Sequence, residues 1–224
     1  MNSNKSEQLN TCSIPTPTLR RMPTYLRLVK DLQANGIETV SCTVIANALK
    51  REPTQIRKDL AMTGIVGKPK VGYFTAELIS SIEDFLGWNF YSKAFLVGAG
   101  KMGSSLLAYG GFRHHGIDII AAFDTDPNLV GKLVHGKEVF ALKRITNMIP
   151  EKQVTIGIIT VPARFAQEVA DCMVAGGIKA IWNFTTCQLN VPDYVIVENE
   201  DLFASLAVLC GKLNHSLQRA EGKK

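Results

Sequence analysis

A short segment near the middle of the chain, KAFLVGAGKMGSSLL at residues 93–107, constrains the fold more than any other. An apolar run at 94–97 meets three glycines, Gly98, Gly100 and Gly103, and a stretch that favours a helix follows at once. A strand that passes through a glycine-rich turn into a helix is the unit of nucleotide-binding parallel sheets. The segment therefore predicts an α/β domain in which a helix N-terminus faces a dinucleotide.

The residues beyond Lys93 alternate between apolar, strand-like runs and helical stretches. We predict strands at 94–97, 119–123, 155–161, 179–183 and 194–197, and helices that include 103–109 and 164–175. Such alternation is typical of a parallel sheet with helices on both faces. A last amphipathic segment, 201–217, carries a row of leucines on one side: Leu202, Leu206, Leu209 and Leu213.

Each glycine of the segment has its own physical reason. Gly98 permits the tight turn out of the strand, Gly100 lets the backbone approach a pyrophosphate, and Gly103 lets helix and strand pack closely. Asp124 lies 21 residues beyond Gly103, near the spacing of about 20 expected for the acid that binds the adenine ribose. A carboxylate there repels a 2′-phosphate, which favours NAD(H) over NADP(H). Asp126 could share this role or cap the next turn, and the domain could instead hold another nucleotide or CoA.

Two later segments stand where strands of the predicted sheet end. They are Thr160-Val161-Pro162 and Asn183-Phe184-Thr185. In an open α/β sheet this edge is the ligand crevice, and the nicotinamide end of a dinucleotide would lie here. Ordinary loop chemistry is the alternative reading, with Pro162 at the start of a helix.

The N-terminal part of the chain has a different pattern and a different charge. Between residues 15 and 74 there are ten Lys and Arg against four Asp and Glu. We predict a helix that ends near Asn35-Gly36, a second capped by Ser41 or Thr39, and a third capped by Thr54. A tight hairpin of 65–66 with 71–74 and a fourth helix at 78–86 follow.

This order of elements is that of a winged helix-turn-helix domain. Its third helix would enter the major groove of DNA, and the hairpin would flank that helix. A helical domain with a solvated basic face is the alternative. The residues predicted to contact DNA are Gln55, Arg57, Lys58, Lys68 and Lys70.

Several kinds of site are disfavoured. The five cysteines are far apart and lack metal-ligand spacing, so neither a zinc site nor a disulfide framework is expected. No apolar run reaches the roughly 18 residues of a membrane span. Residues 1–18 are expected to be a flexible tail rather than a signal peptide. Taken together, these patterns favour a cytoplasmic protein with no metal and no membrane association.

The catalytic side chains expected of a dehydrogenase are also missing from the sequence. None of the five tyrosines is followed four residues later by lysine, and the four histidines stand apart from any acid–base constellation. The stretch after the last predicted strand is too short for a substrate domain. We therefore predict a protein that is not an enzyme. An NAD(H)-dependent oxidoreductase and a Rossmann-type nucleotide-binding protein without a DNA function are the alternatives.

Eight segments together resemble the Rex family of redox-sensing transcriptional repressors, over the chain from about Thr18 to Leu217. They are YLRLVKDL (25–32), QIRKDL (55–60), VGY (71–73), VGAGKMG (97–103), AAFDTDP (121–127), TVPA (160–163), AGGIKAIWNF (175–184) and VENEDL (197–202). Several segments in one order are far more specific than any single motif.

The resemblance implies a homodimer that binds palindromic operator DNA when NADH is scarce and releases it when NADH accumulates relative to NAD⁺. It implies a winged-helix domain at 19–87, a Rossmann NAD(H)-binding domain at 88–200 and a dimerisation helix, exchanged between subunits, at 201–218. The cofactor-binding residues that we predict are Gly98, Ala99, Gly100, Lys101, Met102, Gly103, Asp124, Thr160, Val161, Pro162, Asn183, Phe184 and Tyr109.

Three residues match a triad that, in the family, reports the ligand state to the DNA-binding domain. They are Arg27 in YLR, Tyr109 in AYGGF and Asp201 in ENEDL. Each has a simpler alternative: Arg27 as a phosphate contact, Tyr109 as packing at a helix end, and Asp201 as a charge at a helix N-terminus.

The chain departs from the family pattern at three places. Ala61-Met62-Thr63-Gly64 stands where the family usually has Ser-Tyr-Phe-Gly, and Pro69-Lys70 replaces the usual Arg-Gly before VGY. NFTT at 183–186 replaces the usual NFAP beside the nicotinamide. We expect these differences to bear on operator sequence and affinity and on the preference for NADH over NAD⁺.

Overall fold

The structure, a computed structural model, describes residues 14–221, apart from the side chains of residues 202, 220 and 221. The chain divides into two compact units, with the boundary between Asn89 and Phe90. We call them the N-terminal unit and the C-terminal unit. The predicted fold class, a helical N-terminal domain followed by a mostly parallel α/β sheet, is confirmed.

Within residues 14–89, the N-terminal unit contains four helices and two very short strands. In chain order these are α1 (Thr16–Ala34), β1 (Thr39–Val40), α2 (Cys42–Leu49), α3 (Pro53–Ala61), β2 (Tyr73–Phe74) and α4 (Thr75–Phe85). The hydroxyl of Ser41 accepts the backbone N–H of Val44, so Ser41 is the cap of α2, one of the two residues proposed from the sequence. All four helices pack through one apolar cluster in which Met22, Ile45, Ile56 and Leu78 are fully buried.

Two local predictions for this unit are wrong. The helix α3 begins at Pro53 with Glu52 as its N-cap, and Thr54 lies inside it, because proline is well suited to the first helical position. Residues 65–66 form no strand with 71–74. Instead β2 pairs with β1, and the loop before β2 holds a single bridge between Lys68 and Gly72.

The predicted hairpin at 65–74, which we call the wing, is therefore a tight turn rather than a pair of strands, and its residues explain why. Pro69 has no N–H to donate to a ladder, and Lys70 and Gly72 both adopt positive φ, at 63° and 93°. These angles turn the chain instead of extending it. Lys68 lies over the ring of Phe74, with its Nζ 4.2 Å from the ring centroid.

The last residues of the predicted flexible tail, 16–18, belong to α1, which begins at Thr16. Thr18 is buried, and its hydroxyl donates to the carboxylate of Asp59 on α3. The end of the predicted tail therefore belongs to the packed core of the unit. Residues 1–13 lie outside the described part of the chain.

The C-terminal unit is a seven-stranded sheet flanked by helices. Its elements are β3 (Ser92–Val97), α5 (Lys101–Ala108), β4 (Ile117–Asp124), β5 (Leu133–Val134), β6 (Lys137–Ala141), α6 (Ile145–Lys152), β7 (Ile156–Ile159), α7 (Ala163–Ala175), β8 (Ala180–Asn183), β9 (Ile196–Asn199) and α8 (Leu202–Glu221). The sheet order is β5-β6-β4-β3-β7-β8-β9, and β5–β6 is the antiparallel pair.

Without β5, this order is that of the dinucleotide-binding fold, with its reversal of winding between β3 and β7. The elements β5, β6 and α6 were not predicted. The two strands are short, and the turn between them contains His135 and Gly136 in left-handed conformations. The short α6 contains Pro150 and so lacks the sequence signature of a regular helix.

Each face of the sheet has its own apolar core. One face buries Phe95 and Phe123 against α6 and α7, through Ile149 and Val169 among others. The opposite face buries Leu96 and Ile158 with Leu107 of α5. The sheet is therefore covered on both sides, as expected for parallel strands.

The last helix, α8, is exposed along its length. Large apolar side chains that are more than half exposed are Phe203, Leu206, Val208, Leu209, Leu213 and Leu217. An isolated helix with such a surface gains little from its own chain. Among residues 14–221, no helix is long and apolar enough to cross a membrane.

Asp59 is the polar centre of the N-terminal unit. It is 1% exposed, and its carboxylate accepts hydrogen bonds of 2.7–3.0 Å from Thr18, Arg21, Tyr25 and Gln55. Burial alone would raise the pKa of Asp59, but these donors outweigh it and hold the pKa below its usual value. Burial and then the bond to Asp59 raise the pKa of Tyr25 to about 12. The network fixes α3 against α1.

We expect the substitution Asp59→Ala to destabilise the N-terminal unit by about 3 kcal/mol, because it leaves Arg21 and Tyr25 without their acceptor. The matched control is Asp31→Ala on the exposed face of α1, which should change stability by less than about 0.5 kcal/mol. Urea unfolding followed by circular dichroism measures both. Equal midpoints for the two variants would contradict the role of Asp59.

Candidate nucleotide site and nucleic-acid interface

A cavity of about 460 Å³ opens at the carboxyl ends of β3, β4 and β7. We call it the glycine-loop cavity. It is lined by Val97, Gly98, Gly100, Asp124, Thr125, Leu142, Thr160, Val161, Pro162, Phe165, Glu168 and Val169. Two of the three predicted glycines, Gly98 and Gly100, therefore meet the predicted acid and the segment 160–162 at one place. The winding of the sheet reverses there, which is where ligands of such folds bind.

The glycines have the conformations and contacts that the sequence argument requires. Gly98 has φ of +100°, and its Cα lies so close to Thr160 that a Cβ would be 2.9 Å from the Thr160 backbone. A Cβ at Gly103 would collide with the carbonyl oxygen of Gly98. The hydroxyl of Thr160 donates to the carbonyls of Val97 and Gly98, at 3.0 and 2.8 Å. These contacts clamp the loop between β3, β7 and α5.

Asp124 orders the same loop from the other side. One carboxylate oxygen accepts the N–H of Ala99 at 2.7 Å, and the other accepts the N–H groups of Thr125 and Asp126. Asp126 accepts from the backbone and side chain of Asn128, so its side chain caps the next turn, one of the two roles considered for it. Asp124 is therefore the acid whose carboxylate faces the cavity.

A second cavity, of about 550 Å³, lies where β8 and β9 end and α8 begins. We call it the α8 crevice, and Met102, Phe184–Gln188, Asn199–Asp201, Phe203 and Leu206 line it. Met102 follows Lys101 in the first turn of α5. The two predicted residues Met102 and Phe184 therefore lie together, one strand away from the glycine-loop cavity, on the side where the nicotinamide half of a dinucleotide would extend.

Asn183 is fully buried, and the fold already uses its side chain. Its amide nitrogen donates to the carbonyl of Cys187 and to the side chain of Asn199. Its oxygen accepts from the N–H and the hydroxyl of Thr185. Asn183 therefore shapes the loop after β8 and lines neither of the two cavities.

Tyr109 ends α5 and is 59% exposed. Its ring packs edge-on against Phe112, with the centroids 5.0 Å apart, and it lines neither the glycine-loop cavity nor the α8 crevice. The carboxylate of Asp201 accepts the N–H of Ala204 at 2.9 Å, which caps α8 and favours the alternative role at a helix N-terminus.

Sequence reasoning missed the wall of the glycine-loop cavity that α7 and the end of β6 supply. Phe165, Glu168 and Val169 project from one side of α7, and Leu142 follows β6. Glu168 and Val169 follow Phe165 by three and four residues, and this helical spacing is the signal that could have found them. Glu168 adds a second carboxylate near Asp124, so two negative charges face this cavity.

The predicted DNA-binding residues lie around a shallow groove of about 540 Å³ in the N-terminal unit. Arg57 of α3 and the wing residues 67–73, which include Lys68 and Lys70, line it together with Ser41–Thr43 at the start of α2. Lys58 is exposed beside Arg57 on α3. Gln55 is only half-buried, but its amide donates to Asp59, so its side chain is directed toward the core. Arg27 is exposed on α1.

Among the described residues, no group of three or more His, Cys, Asp and Glu side chains could hold a metal ion. Within that part of the chain the cysteines Cys42, Cys172, Cys187 and Cys210 are free. The site is therefore built from backbone amides, carboxylates and apolar walls.

Comparison with known proteins agrees with this division of the chain. Residues 13–61 match a family model described as "Putative DNA-binding protein N-terminus", and residues 91–187 match one described as a CoA binding domain. The redox-sensing transcriptional repressor Rex of Treponema denticola is 50% identical over 198 residues, which cover 88% of this chain and 94% of that protein.

The chain belongs to the Rex family. The family resemblance noted from the sequence is thereby confirmed.

Solved structures agree with the Rex assignment. The structure of RSP in complex with beta-NAD⁺ and operator DNA has a TM-score of 0.87 and 32% identity, and covers 94% of this chain and 97% of that one. The structure of RSP in complex with beta-NADH has a TM-score of 0.84 and 31% identity, with 93% and 98% covered. Both span the two units of the present chain.

The departures from the Rex pattern have local structural effects. Thr185 of the NFTT segment donates to Asn183 and accepts the N–H of Cys187, two bonds that the alanine of NFAP could not make. Thr63 donates to the carbonyl of Leu60 and ends α3. Pro69 and Lys70 form the turn of the wing.

Gly100 and Gly103 provide a test of how tightly the glycine-rich loop is packed. We expect Gly103→Ala to destabilise the C-terminal unit by about 1–3 kcal/mol, because the new methyl group meets the Gly98 carbonyl. Gly100→Ala meets nothing within 4 Å and should cost less than about 1 kcal/mol, the usual cost at a helix N-cap. Thermal unfolding of both variants measures the difference. The same loss in both would show that the contact with Gly98 does not constrain the loop.

Proposed function

We propose that this chain is a redox-sensing transcriptional repressor that binds palindromic operator DNA through its N-terminal unit and NAD(H) through its C-terminal unit. A rise of NADH relative to NAD⁺ releases the operator. The single observation that carries the proposal is the pairing, in one chain, of a dinucleotide loop closed by Asp124 with a winged-helix unit whose groove is basic. The similarity to RSP, solved with NAD⁺ and operator DNA and with NADH, supports it.

In the proposed complex the adenosine half of NAD(H) occupies the glycine-loop cavity, with its ribose hydroxyls at Asp124. The pyrophosphate faces the N–H groups at the start of α5, where the helix dipole favours negative charge. The nicotinamide half extends toward Met102 and Phe184. Two carboxylates, Asp124 and Glu168, exclude the 2′-phosphate of NADP(H) by charge repulsion.

The charge of the nicotinamide ring supplies the redox response. The reduced ring is neutral and the oxidised ring is a cation, and a crevice with apolar walls disfavours a desolvated charge. The walls contributed by Met102 and Phe184 therefore favour NADH over NAD⁺. The chain acts as a regulator and not as an enzyme, because binding alone distinguishes the two redox states.

On the DNA side, phosphate contacts from Arg57, Lys58, Lys68 and Lys70 provide most of the affinity, which falls steeply with salt. As a homodimer, the protein places two α3 helices on half-sites about 34–36 Å apart. NADH disturbs that spacing. A hundredfold loss of DNA affinity corresponds to a coupling of about 2.7 kcal/mol, and operator DNA must then weaken NADH binding by the same factor.

The division of labour along the chain is proposed to follow the predicted boundaries. Residues 19–87 bind DNA, residues 88–200 bind NAD(H), and residues 201–218 join the subunits through the apolar surface of α8. We place the protein in the cytoplasm, where both NAD(H) and operator DNA are available to it.

One experiment separates this proposal from its two alternatives. Binding to a palindromic duplex is measured while NADH and NAD⁺ are titrated separately. A repressor releases the duplex at low NADH and retains it with NAD⁺. A nucleotide-binding protein without a DNA function takes up NADH but binds no duplex at low salt. An oxidoreductase turns over nicotinamide absorbance when small carbonyl or hydroxy compounds are added.

We expect Arg57→Ala to weaken operator binding at least tenfold and to leave NADH affinity unchanged, because the phosphate contact is lost without any change in the C-terminal unit. The slope of log affinity against log salt should fall by about one. Lys152→Ala removes an exposed cation from the C-terminal unit and is the control. Operator binding by Arg57→Ala equal to that of the parent would reject this assignment.

The two carboxylates of the glycine-loop cavity should differ in their effects. Asp124→Ala removes both the ribose acceptor and the bond to Ala99, and we expect it to lower NADH affinity at least tenfold. Glu168→Gln removes only a charge, and it should raise NADPH affinity several-fold with little change for NADH. Fluorescence titration with both cofactors measures this. An unchanged NADH titration for Asp124→Ala would rule out its ribose role.

A further inference from the structure

Four aromatic rings form a continuous line through the C-terminal unit. Phe184 packs on Trp182 with centroids 4.7 Å apart, Trp182 on Phe112 at 5.6 Å, and Phe112 on Tyr109 at 5.0 Å. The last two contacts are edge-to-face, at 86° and 78°, the arrangement that aromatic pairs prefer. We call this set the ring line. It is distinct from the Phe95–Phe123–Phe140 cluster on the opposite face of the sheet.

The two ends of the ring line lie in different surroundings. Phe184 lines the α8 crevice beside Met102. Tyr109, at the other end, is 59% exposed at the end of α5. Trp182 and Phe112, between them, are half-buried against the core of that face. If a molecule in the crevice displaces Phe184, the displacement is therefore transmitted through rings in contact to the exposed ring of Tyr109.

Trp182 also has a polar connection to the start of α8. Its indole N–H donates to the carboxylate of Glu200 at 3.0 Å. Glu200 lies in the α8 crevice and directly precedes Asp201, whose carboxylate caps α8. Trp182 thus contacts Phe184 in the crevice, Phe112 in the ring line, and Glu200 in the segment that precedes α8.

We propose that Trp182 is the residue through which occupancy of the α8 crevice changes the position of Tyr109 and of the first turn of α8. This inference rests on the proposed function, since it assigns the route by which NADH bound at Phe184 lowers operator affinity. Trp182 is a positioning residue and need not touch the nicotinamide. Close-packed side chains have few alternative arrangements, so a shift of one ring is passed on rather than absorbed.

The shape of tryptophan explains why one residue can serve both branches. Its ring system is wide enough to contact Phe184 on one side and Phe112 on the other, while the indole N–H, a donor only, selects a carboxylate. A leucine at this position keeps the apolar burial but loses both the ring contacts and the hydrogen bond. Simple core packing and signal transmission therefore make different predictions for this substitution.

The experiment measures operator affinity with and without saturating NADH, and the ratio of the two is the coupling factor. For Trp182→Leu we expect the coupling factor to fall at least tenfold. Operator affinity without NADH and NADH affinity without DNA should each stay within about threefold of the parent. Changes of this kind separate a positioning role from a role in packing, which would lower stability and leave the ratio unchanged.

Three further variants show which lost contact changes the coupling factor. Phe140→Leu removes a ring from the separate cluster on the other face and should keep the coupling factor of the parent. Glu200→Gln and Glu200→Ala both remove a charge from the crevice, but only Glu200→Gln keeps an acceptor for the indole N–H, so the coupling factor should be lower for Glu200→Ala than for Glu200→Gln. Thermal unfolding of each variant shows whether a loss of coupling accompanies a loss of folding.

A double substitution tests whether the rings act in series. If they do, Phe112→Leu lowers the coupling factor on its own and adds little to Trp182→Leu. Should Trp182→Leu fail to fold, Phe112→Leu carries the test of the ring contacts, and Trp182→Phe, which keeps a ring but has no N–H, tests the bond to Glu200. A parent coupling factor of one would refute the proposed function. A coupled parent with equally coupled Trp182 and Phe112 variants would refute the ring line alone.

Discussion

The backbone loop at the end of β3 is held by polar bonds from both sides, and the rest of the candidate site depends on this. Asp124 accepts the N–H of Ala99, and the hydroxyl of Thr160 donates to the carbonyls of Val97 and Gly98. These bonds come from the ends of the two strands that neighbour β3, so the parallel sheet itself defines the loop. The N–H groups at the start of α5 are thereby fixed before any ligand arrives, which reduces the entropic cost of binding.

The N-terminal unit uses one buried carboxylate for a comparable purpose. Asp59 joins α3 to α1 through three donors of α1, Thr18, Arg21 and Tyr25, and the face of α3 with Arg57 and Lys58 is left free. A recognition helix needs this combination, because its base- and phosphate-contacting side chains are effective only when the helix axis is fixed. The network also includes Gln55, a predicted DNA contact, whose side-chain amide donates to Asp59.

The two units differ in how much the sequence alone revealed. The parallel sheet, the three glycines and Asp124 were predicted because strand, turn and helix carry strong and local signals there. The wing was predicted incorrectly because β2 pairs with β1, more than thirty residues earlier in the chain, and no local pattern reports such a partner. Glu168 and Phe165 were missed because α7 looks like an ordinary amphipathic helix until the fold places one side of it at the wall of the glycine-loop cavity. The two hydrogen bonds that the side-chain amide of Asn183 donates depend on Asn199 and Cys187, which only the fold brings close to it.

The exposed apolar surface of α8 has a consequence for how the molecule responds in a cell. A helix that gains most of its stability from a second copy is ordered only when enough copies are present. Assembly, and with it the spacing of paired recognition helices, then depends on the square of the subunit concentration. In the proposed dimer, operator affinity would therefore vary with the number of molecules in the cell.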